Sequence, residues 1–372
     1  MTGTASDPTT AAAHPDVAAA TAAATGEDPG SAWGRRDGSH RSRRTAVTIY
    51  DVARVAGVAP STVSRAFARP GRVNADTAAR IRTTAAELGY RVDPLARALS
   101  TSRTQMLALM ISDVTNPFYA ELIRGAQVAA SEVDYTVVLA DARESAVLER
   151  EALERVLPVV DGIVLRSPRM PDSTLQMMAR QRPMIVLNRH LVGVPSVVTD
   201  NARGMRRAVE HLGELGHEQL TYVSGPEASW ADGMRWRALR EAGLELHLHT
   251  RRVGPTAPTV EGGRTAALGL LDHPPTAVIA DNDLVAIGLM LAFAATGIRV
   301  PQDVSVIGFD NILPSELVSP GLTTVASPVF AMGTTAVKNV LAMIRGALPR
   351  SDEAFVLPTR LVVRASTAPP RG

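Results

Sequence analysis

Ser61, Thr62 and Arg65 fall within five residues, and on a helix they share one face. Two short hydroxyls and a guanidinium suit hydrogen bonding to phosphate oxygens and, through the planar fork, to a paired set of acceptors. A second group of candidates is scattered along the chain: Asp113, Asn116 and Phe118; Asn188-Arg189-His190; Trp230 and Arg235; Asn282; and Asp310. These residues offer both donors and acceptors, as a hydroxyl-rich ligand requires. Other chemistries are poorly served. There are no cysteines, which removes thiol catalysis, disulfides and thiolate zinc sites. The eight histidines form no HExxH pair, and neither a nucleophile elbow nor a phosphate loop is present. His211 and His217 lie six apart around a helix end, poor spacing for one metal ion, and read as surface or capping residues. The expectation is a non-enzyme with no metal and no cofactor.

The first group is positioned by the stretch Thr48–Ala68. Ile49, Val52, Ala53 and Ala56 recur at i, i+3, i+4 and i+7, one apolar face of a helix. Thr48 and Asp51 form an approximate capping box, and Gly57 ends the helix. Pro60 suits the first turn of a second helix, where its missing N–H would be unpaired anyway. Val63, Ala66 and Phe67 should face the first helix, leaving Ser61, Thr62 and Arg65 outward. Asn74 should cap a third helix, Ala75–Leu88, stopped by Gly89. The spacing therefore predicts a helix-turn-helix in a three-helix unit. A short helical segment, Asp93–Leu99, follows with an N-cap and a first-turn proline. It is too short to be stable alone.

From Met106 onward, short apolar runs alternate with helical patterns, and after Val197–Thr199 the alternation restarts. This predicts parallel sheets covered on both faces, in two lobes with a cleft between them. Ligands in such folds bind beyond the carboxyl ends of the strands. The loops carrying Asp113, Asn116, Phe118, Asn188, Arg189, Arg235, Asn282 and Asp310 all lie at those ends. Each residue also has a structural alternative: Arg235 could pair with Glu241 or another acid, Asp310 could cap the next turn, and Trp230 could be a core or rim residue.

With 45% hydrophobic and 20% charged residues over 372 positions, the chain is an ordinary multidomain globular protein. No run of about 18 apolar residues and no secretory core segment appears, so a cytoplasmic location is expected. The net charge of +2 is unevenly spread: Ser31–Gln105 has 14 arginines against five acids. Such an excess around a helix-turn-helix is an electrostatic footprint for nucleic-acid phosphates. Residues 1–45 are rich in Ala, Thr, Gly and Pro with no periodic apolar face, and are expected to be a disordered tail.

The runs TIYDVARVAGVAPSTVSR, NPFYAEL, DNARGMRRAVEHLGELGH, ADNDLVAIGLM, VSVIGFDN and LPTRLVVRAST together resemble the LacI/GalR (lactose-repressor) family of bacterial transcriptional regulators over about residues 46–367. The resemblance implies an α/β fold. A small all-α helix-turn-helix headpiece (46–92) would be joined by a hinge helix and linker (93–104) to a two-lobed, periplasmic-binding-protein-like core (105–372). Lobe 1 would span about 105–201 and 327–355, and lobe 2 about 202–326 and 356–367. It further implies a repressor that binds a near-palindromic double-stranded DNA operator as a homodimer, with no membrane partner. Its effector would be a small molecule, most simply a sugar or sugar derivative. A nucleobase or nucleoside, a protein partner or constitutive action remain open alternatives. By position, Pro60, Ser61 and Arg65 would face bases. Thr48, Tyr50, Thr62, Ser64, Arg72, Asn74 and Thr77 would contact or position phosphates. Ala96 and Leu99 would lie on the hinge helix, Leu99 as the wedge between base steps. Asp113, Asn116, Phe118, Asn188, Arg189, Trp230, Arg235, Asn282 and Asp310 would form the effector site. Two positions depart from the pattern. Ala59 replaces the usual Ser cap of the second helix, at a cost of roughly 1 kcal/mol, and Ala68 replaces a common Asn. No leucine heptad follows Thr367, so a dimer is expected over a tetramer.

Overall fold

The first two helices form where the caps predict them. In this computed structural model, which describes residues 47–68, 70–90, 103–347 and 353–371, α1 spans Ile49–Ala56. Thr48 donates its N–H to Asp51 Oδ2 at 3.0 Å and its hydroxyl to the same oxygen at 2.8 Å. These bonds hold the Asp51 carboxyl down at about 2. Gly57 closes the helix at φ 66°, a conformation that costs glycine little. Helix α2, Pro60–Ala68, and α3, Ala75–Leu88, follow, separated by a 3-10 turn at Pro70–Arg72. Asn74 Oδ1 accepts from Asp76 N at 2.9 Å, capping α3. Val52, Ala53, Ala56, Val63, Ala66, Ala78, Ile81 and Ala85 form the buried centre of the three-helix unit. The hinge segment 93–99, the tail 1–45 and the side chain of Ala68 lie outside the described residues.

The core then builds β1 (Met106–Ile111), α4 (Phe118–Ser131), β2 (Thr136–Asp141), α5 (Ala146–Val156), β3 (Gly162–Arg166), α6 (Asp172–Ala179), β4 (Met184–Leu187) and β5 (Ser196–Thr199). The chain crosses to a second unit of α7 (Asn201–Glu214), β6 (Gln219–Val223), α8 (Trp230–Glu245), β7 (His249–Val253), α9 (Val260–Leu268), β8 (Ala277–Ala280), α10 (Asp283–Ala295), β9 (Ser305–Asp310), α11 (Pro314–Leu317) and β10 (Thr323–Ala326). It returns through α12 (Val329–Ile344) to β11 (Phe355–Leu357), and ends in β12 (Arg360–Val362). The first sheet has the order β11-β5-β4-β3-β1-β2, and the second β12-β10-β9-β8-β6-β7. Every pairing is parallel except β10 with β12. The first sheet keeps the chain to Leu357, slightly beyond the expected division at 355.

Strands β1, β3, β4, β5, β8 and β9 are almost wholly buried. Their continuous apolar runs reflect helices on both faces of each sheet. Strands β7 and β10 carry no such run. Strand β7 is an exposed edge of His, Thr and Arg. Strand β10 buries Thr323 and Thr324 by bonding their hydroxyls, Thr324 Oγ1 donating to Asp283 Oδ1 at 2.5 Å. Gly263 and Gly288 let α9 and α10 touch backbone to backbone. A Cβ at Gly288 would lie 2.1 Å from Val260 O, and one at Gly263 2.2 Å from Val285 O.

His217 corrects an expectation. It is buried, not a surface residue: Nδ1 lies 3.1 Å from Thr276 Oγ1, and Nε2 lies 3.1 Å from Ser305 Oγ and 3.0 Å from Ala368 O. Burial lowers its pKa, so it acts as a neutral pin for the chain's last segment. His211 touches the same segment, with Nε2 2.9 Å from Thr367 Oγ1.

Candidate functional site

The carboxyl ends of β1, β3, β4, β6, β8 and β9 open on one polar pocket between the lobes. Its cavity volume is about 50 Å³, so the lobes close on little free space. Lobe 1 contributes Ser112, Asn116, Phe118, Glu144, Arg166, Ser167, Arg169 and Asn188; lobe 2 contributes Ser229, Arg235, Pro258, Asp281, Asn282 and Asp310. Six of the expected residues therefore meet here: Asn116, Phe118, Asn188, Arg235, Asn282 and Asp310.

Arg235, on α8, is the hub. Its Nη1 donates to Asp281 Oδ1 at 3.1 Å and to the Asp281 carbonyl, and its Nε donates to Asn201 Oδ1 at 3.1 Å. Nη2 lies 3.8 Å from Asp310 Oδ1. The guanidinium rests 3.6 Å above the Phe309 ring, an orientation that favours the cation. Neither Glu241 nor another surface acid takes it. Burial pushes the Asp310 carboxyl up to about 8, against the opposing pull of Arg235. Burial also raises Asp281.

Asn282 caps α10, its Oδ1 accepting from Val285 N at 2.8 Å, while Nδ2 donates to Pro258 O at 3.2 Å. Asn188 Nδ2 donates to Ser167 Oγ at 3.3 Å, and its Oδ1 accepts from Thr199 Oγ1 at 3.4 Å. Asn116 Oδ1 accepts from Phe118 N at 3.0 Å, starting α4. Ser167, Asn188 and Asp310 hold positive φ values of 48°, 58° and 119°. Such backbone costs of the order of 1–3 kcal/mol per residue and concentrates at ligand-holding sites.

Three expected residues lie off the pocket lining. Asp113 turns back on its own loop, accepting from Thr115 N at 2.9 Å and Thr115 Oγ1 at 2.7 Å. Arg189 is spent on the chain after β3, donating to Pro168 O at 2.8 Å and Met170 O at 2.9 Å and pairing with Asp172. Trp230, half-buried at the start of α8, shares an adjoining crevice with Arg189. Conversely, Glu144, Arg166, Arg169 and Asp281 line the pocket without having been expected there. The available signal was their place at or just beyond strand ends.

On the headpiece, Tyr50 is 71% exposed, and Thr48, Ser61, Arg65, Arg72 and Asn74 are also exposed. Pro60, Thr62, Ser64 and Thr77 are half-buried. Arg65 Nη2 donates to Ser61 Oγ at 3.3 Å, so these two share a face of α2 opposite the buried Val63 and Ala66. Ala59, exposed, precedes α2; its carbonyl accepts from Thr62 N and Val63 N, but it has no side chain to cap the helix. Ala96 and Leu99 lie outside the described residues. Among the described residues, no helix is long and apolar enough to cross a membrane.

Comparison with known proteins agrees with this two-part architecture. Residues 48–93 match the profile of bacterial regulatory proteins, lacI family, and residues 209–367 match that of the periplasmic binding protein-like domain. The HTH-type transcriptional repressor CytR of Escherichia coli (strain K12) is 31% identical over 337 residues, covering 88% of this chain and 98% of the relative. The lac repressor dimer, solved bound to operator and the anti-inducer ONPF, superposes with a TM-score of 0.76 at 26% identity, covering 87% of this chain and 99% of that one. A LacI family transcriptional regulator from Enterococcus faecalis V583, solved with bound ribose, gives a TM-score of 0.64 at 32% identity, covering 72% of this chain and all of that one. The chain belongs to the lacI family of bacterial regulatory proteins, as a DNA-binding transcriptional repressor controlled by a small-molecule effector.

Proposed function

We propose that the effector is a sugar or sugar derivative bound between the lobes, and that Asn116, Phe118, Asn188, Arg235, Asn282 and Asp310 hold it. One observation carries this reading: charged donors and acceptors from both sheets converge on one polar pocket around Arg235. Alternating donors and acceptors match vicinal hydroxyls. Phe118 offers little for stacking a planar base, because the Arg166 guanidinium already lies 4.4 Å over its ring. The ribose found in the Enterococcus faecalis relative points the same way.

The DNA side is assigned to residues 46–92, with 93–104 as the hinge and 105–372 as the effector-binding and dimerisation core. Pro60, Ser61 and Arg65 read bases. Thr48, Tyr50, Thr62, Ser64, Arg72, Asn74 and Thr77 position the phosphate backbone, and Ala96 and Leu99 act at the hinge. Two copies related by a two-fold axis would meet a near-palindromic operator, as in the operator-bound lac repressor dimer. An effector that prefers one degree of lobe closure then shifts the balance between operator-bound and free states.

The test is fluorescence anisotropy on an operator selected in vitro, titrated with a panel of sugars. One sugar class should change operator affinity by about tenfold or more, or 1.4 kcal/mol. Asp310→Asn, which keeps the shape and replaces the carboxyl by an amide, should lose that response and keep the affinity of the free repressor. A panel without any effect, or an Asp310→Asn protein that responds like the wild type, would refute the assignment.

A further inference from the structure

Three guanidiniums line the pocket, and two are accounted for. Arg235 is paired with Asp281 and Asp310. Arg169 Nε donates to Glu144 Oε2 at 3.0 Å. Arg166, the last residue of β3, differs. Its Nη1 donates to the neighbouring Ser167 hydroxyl, and its flat face covers the Phe118 and Tyr119 rings at 4.4 and 5.4 Å. Among the described residues no carboxylate lies within 4.0 Å of it, and its Nε is buried with no hydrogen-bond partner.

A buried cationic donor without an acceptor is unfavourable, more so than a neutral one. The two aromatic rings hold the guanidinium in place without satisfying its hydrogen bonds, since a ring face attracts the charge but accepts weakly. Ser167, which takes one bond, also accepts from Asn188 and sits in a left-handed conformation. The site thus holds Arg166 by strained, directional contacts and leaves part of its fork unmatched. Moreover, with Asp310 held up at about 8 by burial, the pocket carries more positive than negative charge near neutral pH.

We propose that the effector bears an anionic group, a carboxylate or a phosphate, and that Arg166 binds it. This rests on the sugar reading of the same pocket and sharpens it from sugars in general to sugar acids or sugar phosphates. A guanidinium fork accepts either anion in a bidentate, charge-assisted pair. A neutral sugar would offer no charged acceptor to the buried Nε of the half-buried Arg166, and the site would discriminate against it.

Calorimetry on the full-length protein with three matched ligands, ribose, ribonate and ribose 5-phosphate, provides the test, repeated with glucose, gluconate and glucose 6-phosphate. Inorganic phosphate is titrated separately. One anionic class should bind about tenfold or more tightly than its neutral parent, and which class does so identifies the group. Arg166→Met should abolish that preference, and Arg166→Lys should retain part of it. Neutral sugars binding as tightly as both anionic partners in the wild type would overturn the proposal, whether or not any variant folds. Binding of inorganic phosphate that depends on Arg166, with no response to any sugar, would keep the anion subsite and reject the sugar. Binding of neither would reject both.

Discussion

Replacing Arg235 with methionine removes the hub charge while keeping most of the side chain's length. Three buried groups lose their partner: Asn201 Oδ1 at 3.1 Å, Asp281 Oδ1 at 3.1 Å and Asp310 Oδ1 at 3.8 Å. Breaking a buried pair from one side costs about 3–5 kcal/mol, because the desolvated carboxyls left behind lose their nearest counter-ion. In a domain of roughly 150–250 residues each kcal/mol moves the melting midpoint by about 2–4 °C, so the core of Arg235→Met should melt roughly 6–20 °C lower at pH 8. The loss must depend on pH. Asp281 and Asp310 are raised by burial even in the wild type, Asp310 to about 8, and losing the guanidinium raises them further. A carboxyl whose folded pKa exceeds its unfolded value contributes stability that is full below the unfolded value and lost as pH rises through the folded one. As pH falls, protonation of the carboxyls, Asp310 first, removes the stranded charge, and the loss falls towards that of the hydrogen bonds and the contact with Phe309, about 1–2 kcal/mol. The gap between the two proteins should therefore be largest at pH 8 and narrow towards pH 5. Melting curves followed by circular dichroism across that range measure it. A gap that is constant with pH, or below about 1 kcal/mol at pH 8, would refute the charge-hub account.

Other perturbations probe different parts of the molecule. Gly288→Ala places a Cβ 2.1 Å from Val260 O; urea denaturation should show a loss of about 1–3 kcal/mol, and an unchanged midpoint would mean that α9 and α10 separate freely. Ala59→Ser supplies the missing side-chain cap of α2 and should stabilise the headpiece by about 1 kcal/mol, read as a higher melting midpoint of that unit; no shift would show that the cap is already satisfied. Arg65→Ala should lose about 1–3 kcal/mol of preference for operator over random DNA while retaining most non-specific binding; equal losses on both DNAs would remove Arg65 from base reading.

The headpiece was legible because its determinants are local. The Thr48–Asp51 box, Gly57, Pro60, Asn74 and Gly89 act on neighbours within four residues, and the apolar spacing of α1–α3 follows from helix geometry alone. The buried strands of the core declared themselves as continuous apolar runs. Strands β7 and β10 did not. One is a polar edge and the other hides its threonines by bonding Thr324 to Asp283 and Thr323 to Arg364 N and Thr367, partners that sequence spacing does not reveal. His217 shows the same gap: its partners, Thr276, Ser305 and Ala368, lie 59, 88 and 151 residues away.

The pocket divides along the same line. Its location beyond the strand ends followed from the alternation of elements, and six of its residues from their place in those loops. Which way each side chain turns was decided only by tertiary packing. Asp113 satisfies itself on Thr115, and Arg189 binds carbonyls beside it, so both leave the pocket. Arg166 is drawn in by the rings of Phe118 and Tyr119, which α4 delivers from a distant part of the chain. The sequence by itself determined a DNA-reading helix pair and a two-lobed core, because caps and periodicity are short-range. The tertiary structure alone decided which charges meet inside the cleft and which one is left unpaired, because desolvation and pairing depend on neighbours that only the folded chain brings together.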